Sequence, residues 1–382
     1  MKKIFAPLVL LLMVLTGTIR CRSGVCTGLE EYTLPLYTPE YASGFAILGA
    51  EGRQSTLLKI SNPWQGAKGV DTYLLIARNG EAVPENFPGQ VLRGNAQRIV
   101  CMSSSHIAML DAIGAVETVV GVSGSQFVTH PYIAAHRDRI GDVGYDGNIN
   151  FELLLSLEPD IVLLYGVNGI STMETKLREL GIPFAYIGEY VEEIPLGKTE
   201  WMIALAELVG ERDKGIAAFT PIPIRYQQLS QRALAARSAR PKVMINTPYA
   251  DSWFMPSTSS YIARLIEDAG GDYLYRSNTD NASKAIDLEE AALLISEADI
   301  WIHVEGCTSL AALKQRFPKF ADMDCVRQGE IYNCDKRRVP GGGNDYWESG
   351  VIHPDQVLGD LVKIFHPELM EDWEFIYYRQ LE

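Results

Sequence analysis

The sequence is short of the chemistry that marks most enzymes. Its six cysteines contain no Cys-x-x-Cys pair and its six histidines no His-Glu-x-x-His, so neither a zinc ribbon nor a zinc protease is written in it. The stretch LGKT, Leu196 to Thr199, ends like a phosphate-binding loop, but Glu192 stands where the first glycine of that loop belongs. GVSGSQ (Gly121 to Gln126) brings its second glycine one position too early for the Gly-x-Ser-x-Gly elbow of a hydrolase. Positive charge is scarce as well: 34 Lys and Arg stand against 48 Asp and Glu, for a formal charge of -14. With no basic patch to offset that balance, the sequence argues against a nucleic-acid partner.

What is present is a foldable chain of 382 residues, 47% apolar and 21% charged, long enough for more than one core. Residues 1–20 join Met-Lys-Lys to the run IFAPLVLLLMVLTGTI, the charged and apolar regions of an export signal. About 15 apolar residues fall short of the roughly 20 that span a bilayer, so cleavage is expected rather than a retained helix. Cys21 follows directly, as the lipid-bearing cysteine of bacterial lipoproteins does, although Arg20 is a poor match to the small residue usual before it. Both lipid anchoring at Cys21 and plain cleavage nearby are open, with Cys26 a second candidate. Export places the other cysteines in an oxidising compartment, where Cys325 and Cys334, flanking VRQGEIYN, are candidates for a bridge. Cys101, inside RIVCM, reads as a buried core thiol.

Residues 22–95 alternate apolar and polar positions between Asn-Pro and Asn-Gly turns, and read as a β-rich extension. From residue 96 the texture becomes short apolar strands and amphipathic helices: an α/β body with parallel strands. A first lobe, 96–195, opens with a strand at Ile99, a serine loop, and a helix with Ile107, Leu110 and Ile113 on one face, closed by Gly114. A second lobe, 239–382, opens the same way, with KVMIN, a loop, and Ile262, Leu265, Ile266 and Ala269 before Gly270. The segment 196–238 between them reads as a long interlobe helix, with a kink or break expected at Pro221 and Pro223. Asn150 to Gly166 (NFELLLSLEPDIVLLYG) and Asp287 to Gly306 (DLEEAALLISEADIWIHVEG) repeat one pattern: an early glutamate, a helical run, Glu-Pro-Asp or Glu-Ala-Asp, a strand, a glycine.

These stretches, with RIVCMSSSHIAMLDAIGAVETVVGVSG, LIEDAGGDYLY and GGGNDYWESGVIHPDQVLGDLVKIFHPEL, resemble the periplasmic substrate-binding proteins of ABC importers for iron complexes, haem and cobalamin. The resemblance spans roughly residues 96–370, and is strongest to Bacteroidetes-type members with an N-terminal extension. It implies two α/β lobes joined by an interlobe helix, a periplasmic location, no catalysis and no resident cofactor or metal. The partners it implies are a small metal chelate or corrinoid and an ABC permease dimer with its ATPase. It also implies a permease-docking glutamate on each lobe, here Glu152 and Glu289. On the residues alone, both read as helix N-terminal acids favoured by the macrodipole and by solvent.

A ligand crevice is expected where the strand ends of the two lobes face each other. Lobe one offers Ser104, Ser105, His106, Tyr145, Asp146 and Tyr165, and lobe two Trp253, Tyr346 and Trp347. Aromatic faces suit a flat macrocycle or chelate, or else pack lobe edges. His106 either ligates metal or serves as a polar wall or helix cap, and Arg337 and Arg338 either meet an anionic chelate or are surface charge. An uncharacterised enzyme on the same fold is the reading from a different class.

Overall fold

The computed structural model describes residues 28–382 except Asp146, Asn168 and Asn281. The signal segment, Cys21 and Cys26 therefore lie outside the described residues.

The extension is a five-stranded sheet in the order β1 (Leu34–Tyr37), β2 (Phe45–Gly49), β3 (Thr56–Ser61), β4 (Asp71–Ala77), β5 (Gln90–Arg93). Its pairs are antiparallel except β4 with β5. Period-two alternation sends Ile47, Leu58, Ile60, Leu74 and Ile76 to one face, where they join the same core as Trp201 and Ile203 of the interlobe segment. Leu57 and Leu75 face the other way, onto Tyr32 and Ala50. The extension thus shares its principal core with the body.

Lobe one carries β6 (Ile99–Cys101), β7 (Val119–Val122), β8 (Gly141–Asp142), β9 (Ile161–Leu164) and β10 (Phe184–Tyr186), all parallel in the order β10-β9-β6-β7-β8. Lobe two carries β11 (Lys242–Ile245), β12 (Ser252–Met255), β13 (Asp272–Tyr273), β14 (Lys284–Asp287), β15 (Ile300–Ile302), β16 (Ile331–Asn333) and β17 (Arg379–Gln380). Its sheet runs β13-β11-β15-β16-β17, with only β17 antiparallel, while β12 and β14 form a separate ribbon. Strands β7-β6-β9-β10 and β13-β11-β15-β16 therefore follow one winding, and the repeated sequence supplies the same piece of each: the helix and strand that return beside the lobe's first strand. Even the shared aspartate has one job. Asp160 accepts the backbone N–H groups of Gln97 and Arg98 just before β6, at 2.8 and 2.9 Å, and Asp299 accepts that of Lys242 at the start of β11, at 2.7 Å.

The interlobe segment is helical in four consecutive pieces, Pro195–Glu200, Met202–Leu208, Arg212–Phe219 and Pro221–Leu234. The expected break falls at Thr220, leaving Pro221 and Pro223 in the first turn of the last helix, where a missing N–H costs no intrahelical bond. Gly210, at φ 77°, makes an earlier break.

The candidate Cys325–Cys334 bridge is not formed: both are free, buried thiols. Cys325 sits in the helix Asp324–Gln328 and Cys334 just past β16. The Cys325 carbonyl accepts the Glu330 N–H at the beginning of that strand. At ~3.3 Å per extended residue, Cys334 is carried away to the strand's other end. Cys101 is buried as expected, and burial raises its thiol pKa. Among the described residues no helix is long and apolar enough to cross a membrane.

Candidate functional site

Strands β11 and β15 end at Ile245 and Ile302, and Asn246, His303 and Glu305 follow them into a cleft of about 480 Å³. Lobe one faces it with Tyr190 to Glu193, the segment after β10. A third side is supplied by the extension, through Ser43, Gly44 and the turn from Ser61 to Ala67. The volume falls in the range of roughly 300–1000 Å³ usual for small-molecule sites.

Polar groups at this cleft are held from behind. Lys198 donates to the carbonyl oxygens of Glu189 (2.9 Å) and Tyr190 (3.2 Å), and its ammonium lies 5.3 Å from the Tyr190 ring and 5.2 Å from that of Tyr261. Burial pushes its pKa down to about 8, against the pull of Glu189 and Glu192. The Ser105 hydroxyl donates to Glu189 Oε1 at 2.6 Å, and His106 Nε2 stands 3.6 Å from the same oxygen, beyond hydrogen-bond range. Burial works against the charge on Glu189, yet His106, Ser105 and Lys198 outweigh it and hold the carboxyl below its ordinary pKa.

His303 forms part of the opposite wall. It is only 4% exposed, adopts a left-handed backbone (φ 57°), and its Nε2 shares a 2.6 Å hydrogen bond with the Tyr378 hydroxyl. Burial pushes the imidazole down to about 3, so it is neutral. Tyr346, Trp347 and Tyr378 surround the ring at centroid distances of 5.4, 6.4 and 5.6 Å. A non-glycine residue in this backbone region is costly and is commonly found at functional sites.

The lobes also touch directly. Gly341 and Gly343 come so near the backbone of Gln126 and Phe127 that a Cβ at either would lie 2.3 Å from a carbonyl oxygen. Thr129 N–H donates to Glu348 Oε2 at 2.8 Å across this contact. Burial pushes the Glu348 carboxyl up to about 7 and Asp345 adds to the shift, while the Thr129 hydrogen bonds oppose it.

Of the aromatic residues named from the sequence, Trp347 lines the cleft and is 48% exposed. Trp253 does not. It is fully buried, donates from Nε1 to Ile245 O at 2.8 Å, and packs on Trp301 and Phe320, because alternation along β12 turns it into lobe two while Phe254 faces out. Tyr346 is also buried, directly under Trp347 at a centroid distance of 4.7 Å. Ser104 begins the helix Ser104–Ala112, and Ser105 and His106 in its first turn lie behind the cleft wall at Glu189. Tyr165 follows β9 beside Gly166, and its ring packs against the second core of lobe one. Tyr145 is exposed in a separate depression with Gly124 and Asp142, and Asp146 lies outside the described residues. Arg337 pairs with Asp345 at 2.9 Å, and neither it nor Arg338 lines the cleft. Sequence reasoning missed Trp64, Tyr190, Lys198, Tyr261 and His303, all of which line it.

Glu152 and Glu289 are both exposed, each in the first turn of its helix, Phe151–Ser156 and Leu288–Ser296. Each helix is capped by the residue just before it: Asn150 accepts the Leu153 N–H at 2.9 Å and Asp287 the Glu290 N–H at 2.8 Å. Each cap accepts one of the free N–H groups of its helix, and neither glutamate is used in doing so. Among the described residues no three His, Cys, Asp or Glu side chains cluster so as to hold a metal ion.

Comparison with known proteins agrees with this architecture. A periplasmic haem-binding protein from Pseudomonas aeruginosa superimposes with a TM-score of 0.57 at 19% identity, over 75% of this chain and 98% of that one. A periplasmic binding protein from Veillonella parvula superimposes with a TM-score of 0.59 at 14% identity, over 82% and 99%. In sequence, an uncharacterised lipoprotein of Methanocaldococcus jannaschii is 26% identical over 300 residues, 75% of this chain and 69% of that protein. The profile described as "Periplasmic binding protein" matches residues 99–338, more than half of the sequence, and the chain belongs to that family.

Proposed function

We propose that this protein captures a metal chelate, an iron complex of siderophore type, outside the cytoplasm and delivers it to an ABC permease dimer driven by its ATPase. The observation that carries the reading is the cleft between two equivalently wound sheets, with aromatic faces from Trp347, Tyr190 and Tyr261 and polar groups between them. Haem or a corrinoid would use the same cleft, and haem is what the Pseudomonas aeruginosa neighbour is named for binding. The exposed Glu152 and Glu289, at equivalent places on the two lobes, suit a two-fold partner that offers one basic pocket twice. The run IFAPLVLLLMVLTGTI after Met-Lys-Lys, read as an export signal, supports a periplasmic location, with the mature chain either free or held by lipid on Cys21.

Native mass spectrometry of protein incubated with a ferric siderophore, hemin and cyanocobalamin tests the first part. One intact ligand per chain is expected, and release of an altered molecule would favour an enzyme instead. For docking, Glu152→Lys combined with Glu289→Lys should abolish uptake while leaving ligand affinity nearly intact. Unchanged uptake would reject the role of the two carboxylates.

A further inference from the structure

Residues 28–95 precede the part of the chain that the family profile matches, yet they reach the cleft. Three buried glutamates explain how they are held there. Glu200 accepts the Tyr37 hydroxyl and the N–H groups of Glu40, Tyr41 and Ala42 at 2.6–2.9 Å. Glu192 accepts Ser43 and Gly44 N–H groups and the Trp201 indole. Glu207 accepts the Thr56 hydroxyl at 2.7 Å and pairs with Arg78 and Arg212. All three belong to the segment entering or running through the interlobe helices, so the sheet is fixed to the hinge region.

At the end of β3 the chain turns, and Trp64 closes over the end of β9. A Cβ on Gly166 would lie 2.3 Å from that of Trp64, Gln65 N–H donates to Gly166 O at 2.8 Å, and the indole meets Tyr186 edge-on at 5.2 Å. The rim that lobe one alone would present at Gly166 is covered, and the turn presents its own Asn62 and Gln65 instead.

The charges that line the cleft are Glu192, Glu193, Glu305 and Lys198. No arginine lines it among the described residues. The Lys198 ammonium is already engaged by two carbonyls and two rings. Among the described residues an anionic ligand would find no cation there beyond Lys198, and it would meet two exposed carboxylates, Glu193 and Glu305. Amides and hydroxyls make up the rest of the polar surface, among them Asn62, Gln65, Asn246, Ser257 and Ser283. Such groups pair with neutral carbonyl, amide and hydroxamate groups.

Resting on the function proposed above, we infer that the Asn62–Ala67 turn of the extension is a wall of the ligand site, and that the site takes a chelate of neutral or positive charge with an amide- or hydroxamate-rich periphery. The turn decides which periphery fits, while the two lobes supply the aromatic faces.

The test uses tryptophan-fluorescence titration of the mature chain with four probes: a cationic ferric trihydroxamate, cyanocobalamin, hemin and an anionic ferric tricatecholate. The wild type should bind one of the first two at least tenfold more tightly than either anionic probe. Gln65→Ala, on a partly exposed turn and with an unchanged melting temperature, should weaken that ligand several-fold. Gln65→Arg should weaken the trihydroxamate and strengthen hemin. Tighter wild-type binding of hemin or the tricatecholate would overturn the charge assignment, and affinities within twofold of wild type in both variants would overturn the role of the turn. If the wild type bound none of the four, the proposed function itself would fall, a result distinct from either of these.

Discussion

Glu348 joins the lobes while carrying a carboxyl that burial raises from 4.5 to about 7. Replacing it with Gln keeps an oxygen for the Thr129 N–H and removes the titration. In the unfolded chain the carboxyl ionises near 4.5, whereas in the folded protein it holds its proton to about 7. Between these values the native state binds the extra proton, so the stability this group contributes is fully present below pH 4.5 and is lost as pH rises to about 7. At about 1.4 kcal/mol per pH unit, that interval corresponds to about 3 kcal/mol. Urea unfolding of wild type and Glu348→Gln at pH 4.5, 6 and 8 isolates the effect, because every other ionisable group is common to both proteins. The stability difference, wild type minus variant, should fall by up to ~3 kcal/mol from pH 4.5 to 7 and stay level above it. A difference independent of pH would refute the reasoning and leave Glu348 an ordinary ionised acceptor.

Trp253→Ala should destabilise the protein by about 3–5 kcal/mol through the cavity it leaves, measured by denaturant unfolding, with ligand affinity of the folded fraction unchanged; a selective loss of affinity would return Trp253 to the site. Glu200→Ala strands the donors of Tyr37, Glu40, Tyr41 and Ala42. These donors are only partly buried and can turn to water, so the loss should be about 1–3 kcal/mol in all, with residues 38–43 exposed to limited proteolysis; resistance equal to wild type would refute the anchoring role. Because helices and the clamped sheet span the hinge, solution scattering with and without ligand should show little change in radius of gyration, and a large compaction would contradict that rigidity.

The two lobes were legible because each buries its strands on both faces, which writes short continuous apolar runs into the sequence, and because the repeat fixes where those runs return. Ile107, Leu110, Leu265 and Ile266 are all buried where the helical spacing puts them. The cleft was less legible, since a large aromatic residue carries the same signal whether it fills a core or meets a ligand. Trp253 and Trp347 differ only in the direction their backbones turn them, inward by alternation along β12 and outward on the loop after the glycines. A local clue existed for one missed residue: His303 follows β15 within the very repeat that gives Glu289, at the strand end where a crevice is expected. Trp64 had no such clue, because its place depends on Glu192, Glu200 and Glu207, more than a hundred residues away, gripping a sheet that reads as an appendage. Glu200 and Glu207 lie in a stretch whose sequence says only that it is helical, Glu192 lies just before it, and a carboxylate in such a place is ordinarily a solvated one. Here each is 5% exposed or less and fully occupied by donors from the extension and its neighbours. A wall that touches ligand has to be held to within a hydrogen bond, and these bonds, with the shared core, give the Asn62–Ala67 turn the fixed position that the inferred role requires.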